Sequence, residues 1–387
     1  MPRGGAAAPP RRVCFFGTYN REHTVTRLLL HACQAAGIEV VECHRPLWEH
    51  TRDKRAAYFG LRSVLQLLRA YAHAARDLSR DRRVVGAVPV YLVGFNGQFD
   101  CLLLRWLLRR QRTPMVFAPL VTVTETLVDD RGVFAATSLR GRLARALDTM
   151  SLAAATRVVI DAEAHRRYLI DTFGLLPERV VTWYLGADHT AFKPTPFPER
   201  AGTVRVVFYG TFLPLHGAHT ILGAAARLRD HPGIEWLLVG DGPERPACLA
   251  QAGAAGAARM DFRDWVAYDA LGEMIAEADI CLGIFGVTPK AQMVIPNKVF
   301  QAAMVGRPVI TADTPAIREI FTHGETAWLC PPGDPEALAD AVATLAADPV
   351  LRRRLGRQAA ALMAARFSVA EQGRRLAEIL SAATTQA

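Results

Sequence analysis

The sequence predicts an α/β protein built from two parallel-sheet domains in tandem. Three observations predict it. Strand-length apolar runs alternate with amphipathic helical stretches along most of the chain. Several of those runs end in a glycine turn that opens the next helix. The length, 387 residues with 51% hydrophobic, exceeds what one core of roughly 250–300 residues supports.

The first half begins with an apolar run, Val13 to Phe16, closed by Gly17-Thr18. A helical pattern through Thr26, Leu29, Leu30 and Cys33 follows and stops near Gly37, and Ile38 to Cys43 reads as a second strand. Together they make a βαβ unit. Arg55 to Arg80 is a long basic amphipathic stretch, and Cys101 to Arg110 a shorter helix. Val88 to Val93, Met115 to Ala118, Arg157 to Ile160 and Val180 to Tyr184 complete the strands. Leu120 to Ser138 has no clear period, which in a compact domain marks a functional or mobile loop. Lys193 to Pro198 holds three prolines in six residues and reads as an extended linker.

The second half repeats the pattern. Its strands are Val204 to Tyr209, Ile234 to Val239, Asp279 to Ile284 and Pro308 to Thr311. Its helices fall near Leu215 to Arg229, Glu244 to Ala252, Ala267 to Ala276 and Asn297 to Val305, with three more over Pro335 to Ala346, Val350 to Ala364 and Ala370 to Ala382. In such folds ligands sit at the carboxyl ends of the strands.

Charge is uneven. Residues 1–190 carry 27 Lys+Arg against 17 Asp+Glu, and the remainder 19 against 20. A basic half draws anionic partners, or it is the ordinary surface of an arginine-rich protein with only four lysines. On the Arg55 to Arg80 stretch, Leu61, Val64, Leu65, Leu68, Tyr71 and Ala72 share a side, with arginines elsewhere. That suits a helix lying on an anionic bilayer, or one covering a core. The seven scattered cysteines form no CxxC pair, which points to a reducing cytosol and away from zinc. Residues 1–12 lack the apolar stretch of a signal peptide, and no run is long enough to span a bilayer. Neither a zinc spacing nor a recognised module supports nucleic-acid binding.

Three turns in the second half carry the chemistry. Gly210-Thr211, leading to Pro214-Leu215-His216-Gly217, follows a strand and opens a helix. Gly240-Asp241-Gly242 closes the next strand, with Pro243 suited to a first helical turn. The segment from Gly283 to Gln301 holds two of the four lysines, Lys290 and Lys298, around Ile295-Pro296-Asn297. Asn297 is expected as an N-cap. Two ammonium groups and the bare N–H groups of a helix start would cradle a diphosphate. The alternative is solvated lysines and a plain cap. Asp130, Glu125, His23 and Glu319 are candidate sugar contacts or bases, or simply caps. Glu319 also fits a carboxylate complementing a helix dipole.

These residues resemble the retaining group 1 glycosyltransferases of the GT-B fold (glycosyltransferase family 4-like). The likeness rests on the Gly210 turn, Val239-Gly240-Asp241-Gly242, Pro296-Asn297-Lys298, Gly306-Arg307-Pro308-Val309-Ile310 and the tail from Cys330-Pro331-Pro332-Gly333. Leu185-Gly186-Ala187-Asp188 looks like the turn leaving the first domain. The resemblance implies two Rossmann-like domains facing across a cleft: residues 1–190 for the acceptor, 191–366 for the nucleotide sugar, and a helix in 367–387 returning to the first domain.

The donor it implies is a nucleoside diphosphate sugar, with no dedicated metal. The expected donor contacts are Gly210, Thr211, Gly240, Asp241, Gly242, Lys290, Ile295, Pro296, Asn297, Lys298 and Gln301. On the acceptor side they are Gly17, Thr18, His23, Asn96 and Glu125, with Glu319, His216 and Asp130 as catalytic candidates. The sequence departs from the family where two glutamates seven residues apart would fall, at Met293 and Gln301, and where its basic pair maps to Thr211 and His216. The expected role is glycan or glycolipid assembly on a lipid-linked or anionic acceptor, in the cytoplasm or peripherally on the inner membrane face. Transfer to a small metabolite is the alternative. A glycosyltransferase-like binding protein without catalysis is the alternative of another class.

Overall fold

The structure, a computed structural model, describes residues 9–47, 61–85, 87–200, 202–254 and 260–385. In the first domain, β1 (Arg12–Gly17), α1 (Thr24–Ala35) and β2 (Glu39–His44) form the expected βαβ unit. Then come α2 (Leu61–Val85), β3 (Tyr91–Val93), α3 (Gln98–Leu107) and β4 (Met115–Phe117). A π-helical turn, Glu125–Asp130, interrupts the segment that lacked a period. It is followed by α4 (Leu139–Ala154), β5 (Arg157–Ile160), α5 (Glu163–Phe173) and β6 (Val180–Thr182). The pattern did not reveal α4 or α5. Residues 55–60 of the predicted basic helix lie outside the described residues.

The second domain contains β7 (Val204–Tyr209), α6 (Ala218–Arg227), β8 (Ile234–Val239), α7 (Arg245–Ala254) and β9 (Met260–Arg263). It continues through α8 (Tyr268–Ala276), β10 (Ile280–Leu282), α9 (Pro289–Met293), α10 (Asn297–Val305), β11 (Val309–Ala312) and β12 (Trp328–Cys330). The tail is α11 (Pro335–Ala347), α12 (Pro349–Arg366) and α13 (Val369–Thr384). The sequence reading missed the short strands β9 and β12 and the helix α9. It also began α6 too early, because Pro214–His216 forms a separate 3-10 turn. It began α7 one residue early as well, so Pro243 lies before that helix.

Each domain has a six-stranded sheet, ordered β2-β1-β3-β4-β5-β6 and β12-β11-β10-β7-β8-β9, with every pairing parallel. A parallel sheet is covered on both faces, which explains why β7 and β8 read as nearly continuous apolar runs. On one face of the first sheet, Leu29 of α1 packs with Leu376 and Leu380 of α13. The opposite face carries Leu78, Leu104, Leu152 and Leu169 from α2 to α5. So α13 does cross back to the first domain. Its Gly373 lies so close to α1 that a Cβ there would stand 2.8 Å from the Ala32 carbonyl.

The proline-rich 193–198 segment is extended but not loose. Buried Arg307 donates to the carbonyls of Thr195 (3.1 Å), Pro196 (2.7 Å) and Ala276 (2.7 Å), and its guanidinium lies 4.8 Å from the Phe197 ring centre. These bonds strap the connection to the second sheet.

Candidate functional site

At the carboxyl end of β7 the chain turns through Gly210 (φ 140°) and Thr211. The neighbouring turn after β8 lies directly against it. A Cβ on Gly240 would collide with the Gly210 carbonyl, and Phe212 N–H donates to the Asp241 carbonyl at 3.0 Å. Gly240 is thus demanded by the close approach of the two turns. Asp241 itself is exposed, and it accepts from the Gly242 amide.

Lys298, on the first turn of α10, reaches into this corner. Its Nζ would stand 3.0 Å from a Cβ on Gly210 and sits 4.0 Å from the Phe208 ring centre. The residue is 7% exposed, and the ammonium has no hydrogen-bond acceptor among the described residues. Burial drives its pKa well below the usual lysine value. Asn297 is not the N-cap. Pro296 occupies that position with no side-chain cap bond, so Asn297 is the first helical residue. Its Oδ1 is buried and likewise has no partner among the described residues. An uncapped helix start, an uncompensated ammonium and an unpartnered amide oxygen therefore converge on the Gly210 turn. This is the chemistry of an anion site.

His216 packs edge-on against Phe208 at 5.8 Å. Burial first, then the charges of Lys298 and Lys290, push its pKa well below 6.5, against a bond with the Thr211 backbone. That shift favours the neutral imidazole. Ile295 and Gln301 are buried on the approach to α10 and along it. Met293, where the family has a carboxylate, fills an apolar cluster with Leu215, Ile284 and Ala291, against Ala164 and Tyr168 of the first domain.

The structure revises the place of Lys290. It crosses the cleft: its Nζ lies 3.2 Å from Glu125 Oε1 and donates to Thr126 Oγ1 at 3.1 Å. Beside it, Thr288 donates to Asp130 Oδ1 at 3.0 Å. Burial raises the Asp130 pKa. The π-helical turn and α9 are thereby clasped together.

Behind Glu125 stands a residue the sequence reading missed. His165 Nδ1 is 2.7 Å from Asp161 and Nε2 is 3.0 Å from Glu125, with both His165 and Glu125 fully buried. Burial works against the imidazolium, but Glu125 and Asp161 raise its pKa to about 10. Burial likewise opposes the Glu125 carboxylate, yet Lys290 and His165 hold it at about 2. Asp161, His165, Glu125 and Lys290 form one alternating chain of charge between the domains. Spacing of four between Asp161 and His165 was the only signal for it in the sequence.

Glu319 complements a helix dipole, but that of the other domain. Its oxygens accept from the Glu163 and Ala164 amides at 2.7 Å each, at the start of α5. Each oxygen takes one amide there, which places Glu319 as a latch between the domains.

On the first domain's side of the cleft, Gly17 and Thr18 are fixed by Asp100. The Thr18 amide donates to Asp100 at 2.8 Å and its hydroxyl at 3.0 Å, while Tyr71 donates to the other oxygen at 3.0 Å. Burial pushes the Asp100 pKa up to about 6. His23 caps α1 through Nδ1 and stacks on Phe95 at 4.0 Å. Asn96 adopts a left-handed backbone, φ 64°, in the turn before α3. Gly17, Thr18, His23 and Asn96 thus share the carboxyl ends of β1 and β3, whereas Glu125 is sealed in the ionic chain.

The described residues contain no cluster suited to a metal ion. No described helix is long and apolar enough to cross a membrane. All seven cysteines are buried and unbridged.

Residues 203–348 match the family model described as glycosyl transferases group 1. Among curated proteins, the chain is 29% identical over 208 residues to an alpha-D-kanosaminyltransferase of Streptomyces kanamyceticus, covering 51% of this chain and 52% of that one. It is 28% identical over 251 residues to a D-inositol 3-phosphate glycosyltransferase of Nocardia farcinica, covering 60% and 54%. The aligned part spans about half the length of these relatives. Two solved structures share the whole architecture. Sucrose-phosphate synthase of Thermosynechococcus elongatus superposes with a TM-score of 0.74 at 17% identity, covering 97% of this chain and 100% of that one. HepE of Anabaena, in complex with UDP and glucose, does so with 0.68 at 18%, covering 96% and 99%. The chain has the GT-B fold, and its residues 203–348 are similar to the group 1 glycosyl transferases.

Proposed function

We propose that this chain transfers a glycosyl group from a nucleoside diphosphate sugar to an acceptor hydroxyl, with the anomeric configuration retained. The observation that carries the reading is Lys298: a buried ammonium without an acceptor, aimed at a glycine turn beside an uncapped helix start. A diphosphate supplies the missing acceptors. HepE, a structure of the same fold, was solved with UDP and glucose, which supports a donor of this class.

In the reaction the bond between the anomeric carbon and the diphosphate oxygen breaks. The acceptor oxygen bonds to that carbon from the same face and gives up its proton, which the departing diphosphate can take. Lys298 and the α10 amides stabilise the charge that grows on the leaving group. Neutral His216, beside the same turn, offers a hydrogen bond to the donor. The acceptor lies against Gly17, Thr18, His23 and Asn96. The basic first domain favours an anionic or lipid-linked acceptor, whereas the likeness to a D-inositol 3-phosphate glycosyltransferase favours a small metabolite.

Met293 favours a competing reading, a sugar-nucleotide-binding protein without catalysis. A release assay separates them. Purified protein is incubated with UDP-, GDP-, ADP- and dTDP-sugars, with and without candidate acceptors, and free nucleoside diphosphate is measured. Turnover with one donor, lost in Lys298→Ala, supports transfer. Tight binding with no turnover on any acceptor supports the binding protein.

A further inference from the structure

We infer that the outer face of α3 and α4 docks the protein on an anionic lipid bilayer. Large exposed apolar side chains are scattered singly over most of the surface, as at Leu176 and Val350, and such residues carry no message. Around α3 and α4 they gather. Phe99 is 46% exposed and Trp106 58% on α3, and Leu139 74%, Leu143 59% and Met150 53% on α4. The two helices pack side by side on one face of the first sheet. Spacings of seven on α3, and of four and eleven on α4, align these side chains in stripes pointing away from the core.

The exposed charge on these two segments is of one sign. Residues 98–112 and 139–154 include seven exposed arginines. Their only carboxylates, Asp100 and Asp148, are buried inward, 2% and 0% exposed. Arg109 lies over the Trp106 ring at 4.6 Å, so a cation and an indole are presented together. Aromatic and aliphatic side chains among arginines, with no exposed acid on either segment, suit the boundary between acyl chains and anionic headgroups. A second copy is disfavoured as the occupant, because a two-fold contact sets this arginine field against itself.

The face also lies one residue from the acceptor side of the cleft. Phe99 points outward, while Asp100 next to it points inward and holds Thr18. A bilayer bound here brings the Gly17-Thr18 loop near the headgroups. This link to an acceptor rests on the proposed transfer; the docking itself does not.

The test is flotation of the full-length protein with vesicles of phosphatidylcholine alone or with phosphatidylglycerol, without nucleotide, at low and high salt. The expected result is flotation only with phosphatidylglycerol, weakened at high salt. Trp106→Ser with Leu143→Ser, or Arg109→Glu with Arg142→Glu, should each reduce the floated fraction at least fivefold, with thermal midpoint and nucleotide affinity unchanged. No flotation at low salt, or flotation equal in the folded variants, overturns the inference. So does a concentration-dependent dimer that both variants abolish, which would make the face a self-interface. A protein that floats but binds no nucleotide would sink the proposed transfer and leave this inference standing.

Discussion

Lys290 of the second domain and Glu125 of the first stand 3.2 Å apart in a buried ion pair. It joins α9 to the π-helical turn and so holds the two sheets in their observed relation. Removing one partner of a buried pair strands the other charge. Lys290→Met should therefore cost about 3 kcal/mol of stability. The double variant with Glu125→Gln should recover part of that loss. Denaturant melts of the wild type and these two variants check this. Equal stability of wild type and Lys290→Met would show that the pair contributes nothing.

The same chain sets a pH dependence. His165 is held at about 10 in the folded protein, above its ordinary 6.5. Its contribution to stability is complete below 6.5 and is lost as pH rises from there through 10. Glu125 is held at about 2, below its ordinary 4.5, so its contribution is complete above 4.5 and is lost as pH falls toward 2. The thermal midpoint should fall between pH 7 and pH 10 in the wild type. In His165→Gln that fall should be shallower, from a lower starting midpoint. Parallel curves would contradict the assignment.

Glu319 binds the α5 amides from across the cleft. Glu319→Ala should lose about 1 kcal/mol, the worth of a helix cap. Nucleotide affinity should be unchanged, and any fall in turnover should be matched by Glu319→Gln only in part, since Gln keeps one acceptor oxygen. If turnover collapses equally in both variants with the melt unmoved, Glu319 acts on substrate and not as a latch.

Burial depresses the Lys298 pKa in the empty protein, and a diphosphate beside it would favour the ammonium. Nucleotide binding should then take up a proton in a pH window that opens below the usual lysine value of 10.5. Calorimetric enthalpies in buffers of different ionisation heat should differ accordingly, and this difference should disappear in Lys298→Met.

Much of this architecture is legible in the chain. Strands buried on both faces, such as β7 and β8, announce themselves as apolar runs, and the glycine turns mark their ends. The helices α4 and α5 escaped because arginine and alanine blur their periodicity. The strands β9 and β12 escaped because they are the two edges of the second sheet, where Asp261 and Arg263 break the apolar run of β9 and only Trp328–Cys330 make up β12. At the site, the turn carrying Gly210 and the segment carrying Lys298 stood out by residue type. What could not be read was long-range pairing. His165 meets Glu125 forty residues away, and Lys290 meets it across the domains. Asn297 looked like a cap, but the chain direction set by Pro296 moved the helix start one residue earlier.

The central claim is that Lys298 and the start of α10 bind a diphosphate. Titration calorimetry with UDP, GDP, ADP and dTDP, each against its parent nucleoside, tests it most directly. The account predicts that at least one diphosphate binds, that its nucleoside binds at least tenfold more weakly, and that Lys298→Met erases the difference. Equal affinity for diphosphate and nucleoside, or unchanged diphosphate binding in a folded Lys298→Met, would contradict it.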